Sequence, residues 1–275
     1  MAGMSDLAHA FIADLEHAED RELAPALVET AGELALSMRN RGLETSQKTS
    51  VSDVVTEADT AAEKFVADVL AALRPDDGVL GEEGAAKASA SGRTWVIDPV
   101  DGTYNFSCGS DYFCSAVALV EGEPSDPERI VASAVNRPAL KTTWTAHGGE
   151  SLKNGAQLAP LVDAPLDQLA LATYLHPRVM LDDGIRGAWM AAASRAATVR
   201  MFGAGSIDLA TVASGGIGGW MQHSVADWDW LPGKALVEAA CGAAVKVDAG
   251  GVTWCVAGNR RLVDDVLSLL ADSGH

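Results

Sequence analysis

An α+β half followed by an α/β half is predicted from three features of the sequence. Apolar residues recur at helical spacing near the N-terminus, short strand-like segments follow between residues 79 and 146, and strand and helix patterns alternate beyond residue 155. From Asp6 to Met38 the spacing of Leu7, Phe11 and Leu15, then Leu27, Val28, Leu34 and Leu36, predicts helix, with Pro25 breaking it into two helices or one kinked helix. Residues 43–55 are polar and β-tolerant and read as extended. Thr56-Glu57-Ala58-Asp59 is an acidic variant of the capping box and opens a helix that runs to Leu73, where Arg74-Pro75-Asp76-Asp77-Gly78 stops it.

Strands are expected at Val79–Leu80, Trp95–Ile97, Cys114–Val120, Ile130–Val135 and Thr142–Ala146, with Ala85–Gly92 as a loop. After the Asn154-Gly155 turn the pattern becomes strand Leu169–Tyr174, helix near 182–195, strand Thr198–Phe202, helix Ser206–Ser214, strand Trp220–Gln222, helix Pro232–Cys241 and strand Ala244–Val247. The change of pattern suggests an N-terminal half, residues 1–150, and a C-terminal half, residues 151–275. The 275 residues, 48% of them hydrophobic, suffice for a large core.

The formal net charge of −18, from 38 acidic and 20 basic residues, argues against a nucleic-acid partner or an anionic membrane. An anionic substrate would need local positive charge, which bound cations would provide. Cys108, Cys114, Cys241 and Cys255 match neither a zinc motif nor a disulfide framework and read as reduced thiols. The charged N-terminus and the lack of a run of roughly 18 apolar residues point to a soluble, cytoplasmic protein.

The chemistry concentrates in Trp95-Val96-Ile97-Asp98-Pro99-Val100-Asp101-Gly102-Thr103, a buried strand ending in two carboxylates three apart. Pro99 keeps Asp98 out of helical backbone, and Gly102-Thr103 offers unencumbered amides to an anion. Carboxylates beside a phosphate repel it unless divalent ions intervene, and oxygen ligands without clustered His or Cys favour magnesium or manganese. The plain alternative is a turn, since all these residues form turns. Gly81-Glu82-Glu83-Gly84 after a short strand, and Asp227-Trp228-Asp229 ahead of the helix at Pro232, supply the further carboxylates that a multi-metal site needs.

These segments resemble the ordered motifs of the inositol monophosphatase family: Gly81-Glu82-Glu83, WVIDPVDGTYNF from Trp95 to Phe106, then Trp228-Asp229 with Gly233 and Leu236–Ala240. Upstream, Lys48, Asp53 and Val55–Asp59 are similar to the family's lysine and D-x-V-T-x-x-D, and Gly203-Ala204-Gly205 stands at its substrate loop. The resemblance spans residues about 30 to 250. It implies a layered α-β-α-β-α sandwich of the inositol monophosphatase / fructose-bisphosphatase type and a magnesium-dependent, lithium-sensitive phosphomonoesterase, commonly homodimeric, acting on inositol 1-phosphate or a similar polyol monophosphate.

By the same resemblance Asp98 would bridge two ions, with Glu82 and the Val100 carbonyl completing one and Asp101 and Asp229 the other; a third, weaker ion would sit near Glu82. Gly102 and Thr103 would hold the phosphate, Thr103 and Asp59 would orient or deprotonate the attacking water, and Gly203, Ala204, Gly205 and Gln222 would meet the substrate. Ions in pairs roughly 3.5–4 Å apart suit an in-line phosphoryl displacement. The plain alternatives are helix capping for Asp59 and a solvent-facing side chain for Lys48.

Three departures stand out. Gln222 replaces an inositol-contacting glutamate, which weakens the case for inositol itself; Trp230-Leu231-Pro232 replaces small residues and implies a bulkier or differently angled wall; Tyr104 replaces a threonine without evident consequence. A haloacid-dehalogenase reading fails because D-x-D-G-T needs a nucleophilic aspartate two residues before the second, where Pro99 stands here, and an EF-hand fails on its ligand pattern. The remaining rivals are histidinol-phosphate phosphatase, nucleotide 3′-phosphatase, fructose-bisphosphatase, and a catalytically idle metal-binding relative. Arg200 is the one cation near Gly203, which favours a single phosphate, and His223 beside Gln222 is a candidate for lining the pocket.

Overall fold

The structure, a computed structural model, describes residues 2–42, 45–47 and 54–272. The chain begins with helices α1 (Ala2–Asp14) and α2 (Asp20–Arg41), strands β1 (Thr45–Gln47) and β2 (Val54–Thr56), and helix α3 (Glu57–Leu73). Next come β3 (Gly78–Gly81), β4 (Ala86–Lys87), β5 (Arg93–Asp101), the short helix α4 (Thr103–Ser107), β6 (Cys114–Glu123), β7 (Asp126–Arg137), β8 (Thr142–His147), β9 (Glu150–Lys153) and β10 (Ala156–Gln157). The remainder is β11 (Ala170–Thr173), α5 (Asp183–Ala193), β12 (Thr198–Arg200), α6 (Gly205–Ala213), β13 (Gly219–His223), α7 (Asp227–Ala239), β14 (Ala243–Ala249), β15 (Val252–Gly258) and α8 (Arg260–Asp272).

Strand alternation sorts these elements into layers, because successive side chains on a strand face opposite ways. An eight-stranded sheet runs β10-β9-β8-β7-β6-β5-β3-β4, and a five-stranded one runs β12-β11-β13-β15-β14. Trp95 and Ile97 of β5 face α2 and α3, packing with Leu23, Leu27, Phe65 and Val69. Val96 faces the other way, onto a core shared with Ile207 and Leu209 of α6 and Leu236 and Val237 of α7. That core also takes in Trp220, Cys255 and Ala257 from the smaller sheet, whose reverse face, with Met221, Trp254 and Val256, is covered by Ala188 and Ala192 of α5 and Leu262 and Val266 of α8. The result is the layered α-β-α-β-α sandwich expected from the resemblance, with α6 and α7 as its central layer.

Several local expectations hold for their stated reasons. Thr56 caps α3, its Oγ1 accepting from the amides of Ala58 (3.1 Å) and Asp59 (3.4 Å), while Asp59 accepts from the Thr56 amide (3.0 Å). Asn154 and Gly155 both have positive φ, 49° and 77°, and make the tight turn from β9 into β10. All four cysteines are free thiols, and among the described residues no helix is long and apolar enough to cross a membrane.

Two expectations about proline are corrected. The break in the N-terminal helices falls between Asp14 and Asp20, not at Pro25, which lies inside α2; likewise α7 starts at Asp227 and contains Pro232. Each proline is the sixth residue of its helix. It therefore forfeits one intrahelical bond, to the carbonyl four residues back, and the helix continues through it. Lys48 and Asp53 lie outside the described residues. β15 and α8 lie beyond the last element expected from the sequence.

The central layer leaves no room at Gly233, where an added Cβ would stand 2.3 Å from the Leu209 Cβ. Gly233→Ala is therefore expected to destabilise the protein by about 1–3 kcal/mol despite alanine's higher helix propensity. A chemical-denaturation midpoint equal to or above the parent's would refute the tight α6–α7 contact.

Candidate metal and phosphate site

Two carboxylates three apart on a regular strand would point to opposite faces. The ladder between β5 and β6 is irregular at this place: Asp98 pairs with Ala116 and Asp101 with Cys114, so three steps along one strand oppose two along the other. This bulge turns Asp98 and Asp101 to the same side. It is held by Ser115, whose hydroxyl donates to the Pro99 carbonyl at 2.6 Å, and by the Val100 amide, which donates to Asp98 Oδ1 at 3.1 Å.

Asp229 arrives from the first turn of α7, and one carboxylate oxygen each from Asp98, Asp101 and Asp229 lie within 4.8 Å of one another. Glu82 follows β3, its amide donating to the Ile97 carbonyl at 3.3 Å, and its charge acts on both Asp98 and Asp229. The turn carrying Glu82 is shaped by Glu63 of α3, a buried residue that accepts from the amides of Glu83 (2.8 Å) and Ala85 (2.7 Å). Gly81 is required there, because a Cβ would stand 2.3 Å from the Glu63 carboxylate. No motif marked Glu63, and its apolar neighbours in α3 make it look like a solvent-facing residue.

Asp101 has a second role. Helix α6 has Ala204 at its N-cap, which offers no capping side chain, and Asp101 supplies the acceptor instead, from Gly205 N at 3.2 Å and Ser206 N at 2.5 Å. Behind the cluster, Asp59 is fully buried, and the Thr103 hydroxyl lies 3.1 Å from its Oδ1 and 2.9 Å from the Val100 carbonyl.

Burial raises the Asp98 carboxyl far above the usual carboxylate range, and the charges of Glu82, Asp101 and Asp229 push it further. Burial also raises Asp101, opposed by the amides of Ser206 and Gly205, and burial with the charges of Asp101 and Glu82 lifts Asp229 to about 8. Asp59 is raised to about 6, by burial first, with hydrogen bonds from Thr56 and Thr103 restraining it.

Asp98 Oδ2 is buried without a protein hydrogen-bond partner, and among the described residues no arginine or lysine pairs with Asp98, Asp101 or Asp229. A mutually repelling set of hard oxygen donors with one buried oxygen left unpaired and no basic partner is what divalent cations satisfy. The residues fit a metal centre.

A cavity of about 580 Å³ opens above the cluster. Glu82, Asp101, Gly102, Thr103, Gly203, Ala204, Gly205, Gln222 and Asp229 line it, with Val100 and Asp98 buried beneath. Gly102 has a φ of +89°, and a Cβ there would stand 3.0 Å from the Ala204 side chain, so the backbone needs glycine twice over. Its walls also hold Tyr104, Asn105, Tyr174, His176, Phe202, Asp208 and Trp220. Tyr104 and Asn105 belong to the Trp95–Phe106 motif without a wall role evident in it, and Tyr174, His176, Phe202, Asp208 and Trp220 stand in no motif.

His223 is absent from this wall. Neighbouring positions of β13 face opposite ways, so Gln222 meets the cavity while His223 packs on Trp254, 5.1 Å between rings. Arg200 is also outside it, folded back onto Thr198 and the Val199 carbonyl. The bulk of Trp230 acts indirectly: it is buried and stacks on Trp220 at 5.9 Å, and Trp220 forms the wall. A larger cavity, about 670 Å³, lies between α7 and the turns after β6 and β8, but among the described residues the one converging group of carboxylates, Asp98, Asp101 and Asp229, stands at the smaller one.

A layered sandwich whose central cleft gathers buried carboxylates beside open backbone amides defines a metal-dependent hydrolase of phosphate esters. The chain belongs to the inositol monophosphatase family, whose model matches residues 16–270, and is a phosphatase. It is 32% identical to an inositol-1-monophosphatase of Rhizobium meliloti over 73% of this chain and 74% of that one. It is also 32% identical to a histidinol-phosphatase of Mycobacterium tuberculosis, over 92% and 98% of the two chains. Among solved structures, the extragenic suppressor protein suhB of Bartonella henselae superposes with a TM-score of 0.79 at 25% identity, covering 89% of this chain and 95% of that one.

The raised carboxyls have a measurable consequence. A carboxyl whose folded pKa exceeds its ordinary value near 4 stabilises the fold only while protonated, so the metal-free protein is expected to lose stability as pH rises from about 4 toward about 8. A hard divalent cation should reverse this, raising the melting temperature more at pH 8 than at pH 5, where protons compete for the same oxygens. Equal shifts at the two pH values would contradict the metal-site assignment.

Proposed function

We propose that the protein is a magnesium-dependent phosphomonoesterase that hydrolyses inositol 1-phosphate or a similar polyol monophosphate. The observation that carries this reading is the convergence of Asp98, Asp101 and Asp229 on the floor of a cavity whose rim is the open backbone of Gly102 and Thr103. Glu82, Asp98, the Val100 carbonyl, Asp101 and Asp229 would hold two or three Mg²⁺ ions, with Mn²⁺ as a substitute. When bound, these ions neutralise the carboxylates against the phosphate and polarise its oxygens.

The remaining work falls to the chain's own groups. The Gly102 and Thr103 amides receive phosphate oxygens at the start of α4. The Thr103 hydroxyl, placed against Asp59, accepts a proton from the attacking water as its own passes to the Asp59 carboxylate. With a pKa of about 6, Asp59 is mostly ionised at neutral pH and basic enough to take that proton. The water oxygen bonds to phosphorus as the ester P–O bond breaks; the departing alkoxide takes a proton from solvent water, Asp59 returns its proton to solvent, and hydrogen phosphate and the free alcohol leave. Gln222 and the Gly203-Ala204-Gly205 loop meet the alcohol. Among the described residues no lysine or arginine lines the cavity, which supports a substrate with a single phosphate.

A second reading, histidinol phosphate, is favoured by the aromatic wall of Tyr104, Tyr174 and His176, which suits an imidazole ring, while Gln222 offers its ammonium no negative charge. Phosphate release from inositol 1-phosphate, histidinol phosphate, adenosine 3′,5′-bisphosphate and fructose 1,6-bisphosphate, compared at equal magnesium, separates these readings. Inositol 1-phosphate is expected to give the highest kcat/KM and the bisphosphates the lowest, and lithium is expected to inhibit. The family resemblance also supports a cytoplasmic homodimer, which sedimentation would test.

Asp98→Asn and Asp101→Asn are each expected to lower kcat by at least about 100-fold, since even partners one step removed from a metal are worth 10–100-fold. Circular dichroism should show the fold intact. Near-parental turnover in either variant with magnesium present would sink the site.

A further inference from the structure

The phosphatase reading leaves open what holds the wall that meets the leaving alcohol at its working distance from the phosphate-binding turn. That wall, Phe202 to Gly205, follows β12, whereas the turn at Gly102-Thr103 follows β5, about 100 residues away in sequence. Asn105 in α4 lies between them. Its Nδ2 is 2.7 Å from the Phe202 carbonyl, 3.0 Å from the Tyr112 carbonyl and 3.3 Å from the Gly203 carbonyl. A primary amide has two hydrogens, so one group serves all three acceptors, two directly and the third by sharing.

The surroundings reinforce this clamp. Gly102 packs against two of the same carbonyls and the residue after Gly203, since a Cβ on it would meet the Ala204 side chain, the Tyr112 carbonyl and the Gly203 carbonyl at 3.0–3.2 Å. The Tyr112 ring lies 5.0 Å from that of Phe202, and its hydroxyl donates to Asp208 Oδ1 at 2.6 Å. Gly205 and Ser206, which donate to Asp101, are anchored separately by the burial of Ala204, Ser206 and Ile207. Releasing Phe202 and Gly203 therefore leaves the metal ligands in place.

We propose that Asn105 is a positioning residue: its amide sets the spacing between the phosphate-binding turn and the Phe202–Gly205 wall, and so governs substrate affinity without altering the metal centre.

The test uses Asn105→Ala, Asn105→Asp and Asn105→Ser in the full chain, with inositol 1-phosphate as the probe. Asn105→Ala should raise KM about tenfold, the equivalent of one net hydrogen bond, with kcat within about twofold and an unchanged Mg²⁺ dissociation constant by calorimetry. Asn105→Asp keeps the shape but turns acceptors toward three carbonyls, so it should be no better than alanine. Asn105→Ser keeps a short donor, should fall between, and serves if the alanine variant does not fold.

Amide hydrogen exchange at Phe202 and Gly203 should quicken about tenfold in Asn105→Ala. An unchanged KM, a parental KM in Asn105→Asp, a loss of Mg²⁺ affinity, or unchanged exchange would each overturn the proposal. If the parent protein releases phosphate from none of the monophosphates, the phosphatase reading falls, and the exchange experiment alone decides whether the clamp exists.

Discussion

The structure depends on holding several carboxylates together where they repel one another and are poorly hydrated. Asp98, Asp101 and Asp229 are each driven toward the protonated form by burial before any charge is counted. A surface loop would relieve that cost by letting the side chains drift into water. Here the drift is blocked, because Asp98 and Asp101 stand on the most buried strand of the large sheet and Asp229 on a helix locked between two sheets. The cost of the arrangement becomes affinity for cations.

The five layers serve that constraint. The bulge in β5 gives two aspartates one direction, and the sheet on either side keeps the bulge from relaxing. Helix α6 presents its N-terminus to Asp101, and Ser133 of β7 donates to the Pro232 carbonyl at 2.7 Å, tying α7 to the large sheet. Stacked Trp220 and Trp230 then pass the position of α7 to the cavity wall. These contacts among the two sheets and the central helices fix distances at the site, and those through Asp101 and Ser133 join segments far apart in sequence.

Much of this was legible beforehand. The Thr56–Asp59 capping box, the strand ending at Asp101 and the alternation after residue 155 are signals carried by neighbouring residues, and they formed as expected. Pro25 and Pro232 break neither helix, since a single missing amide near the start of a long helix costs only one bond. His223 adjoins Gln222 in sequence, but strand alternation sets it on the opposite face. Glu63 and Asn105 escaped notice because what they do is accept from, or donate to, backbone far along the chain, and no spacing announces that.

The sequence by itself determined the elements, their order and the kinds of oxygen donor available, because propensity, capping and alternation act between residues a few positions apart. Only the tertiary structure decided that Glu82, Asp98, Asp101 and Asp229 share one site, that Asp101 caps a helix 104 residues later, and that Gln222 rather than His223 meets the cavity. Those outcomes depend on a bulge, on layer packing and on burial, which exist only once distant segments have closed on each other.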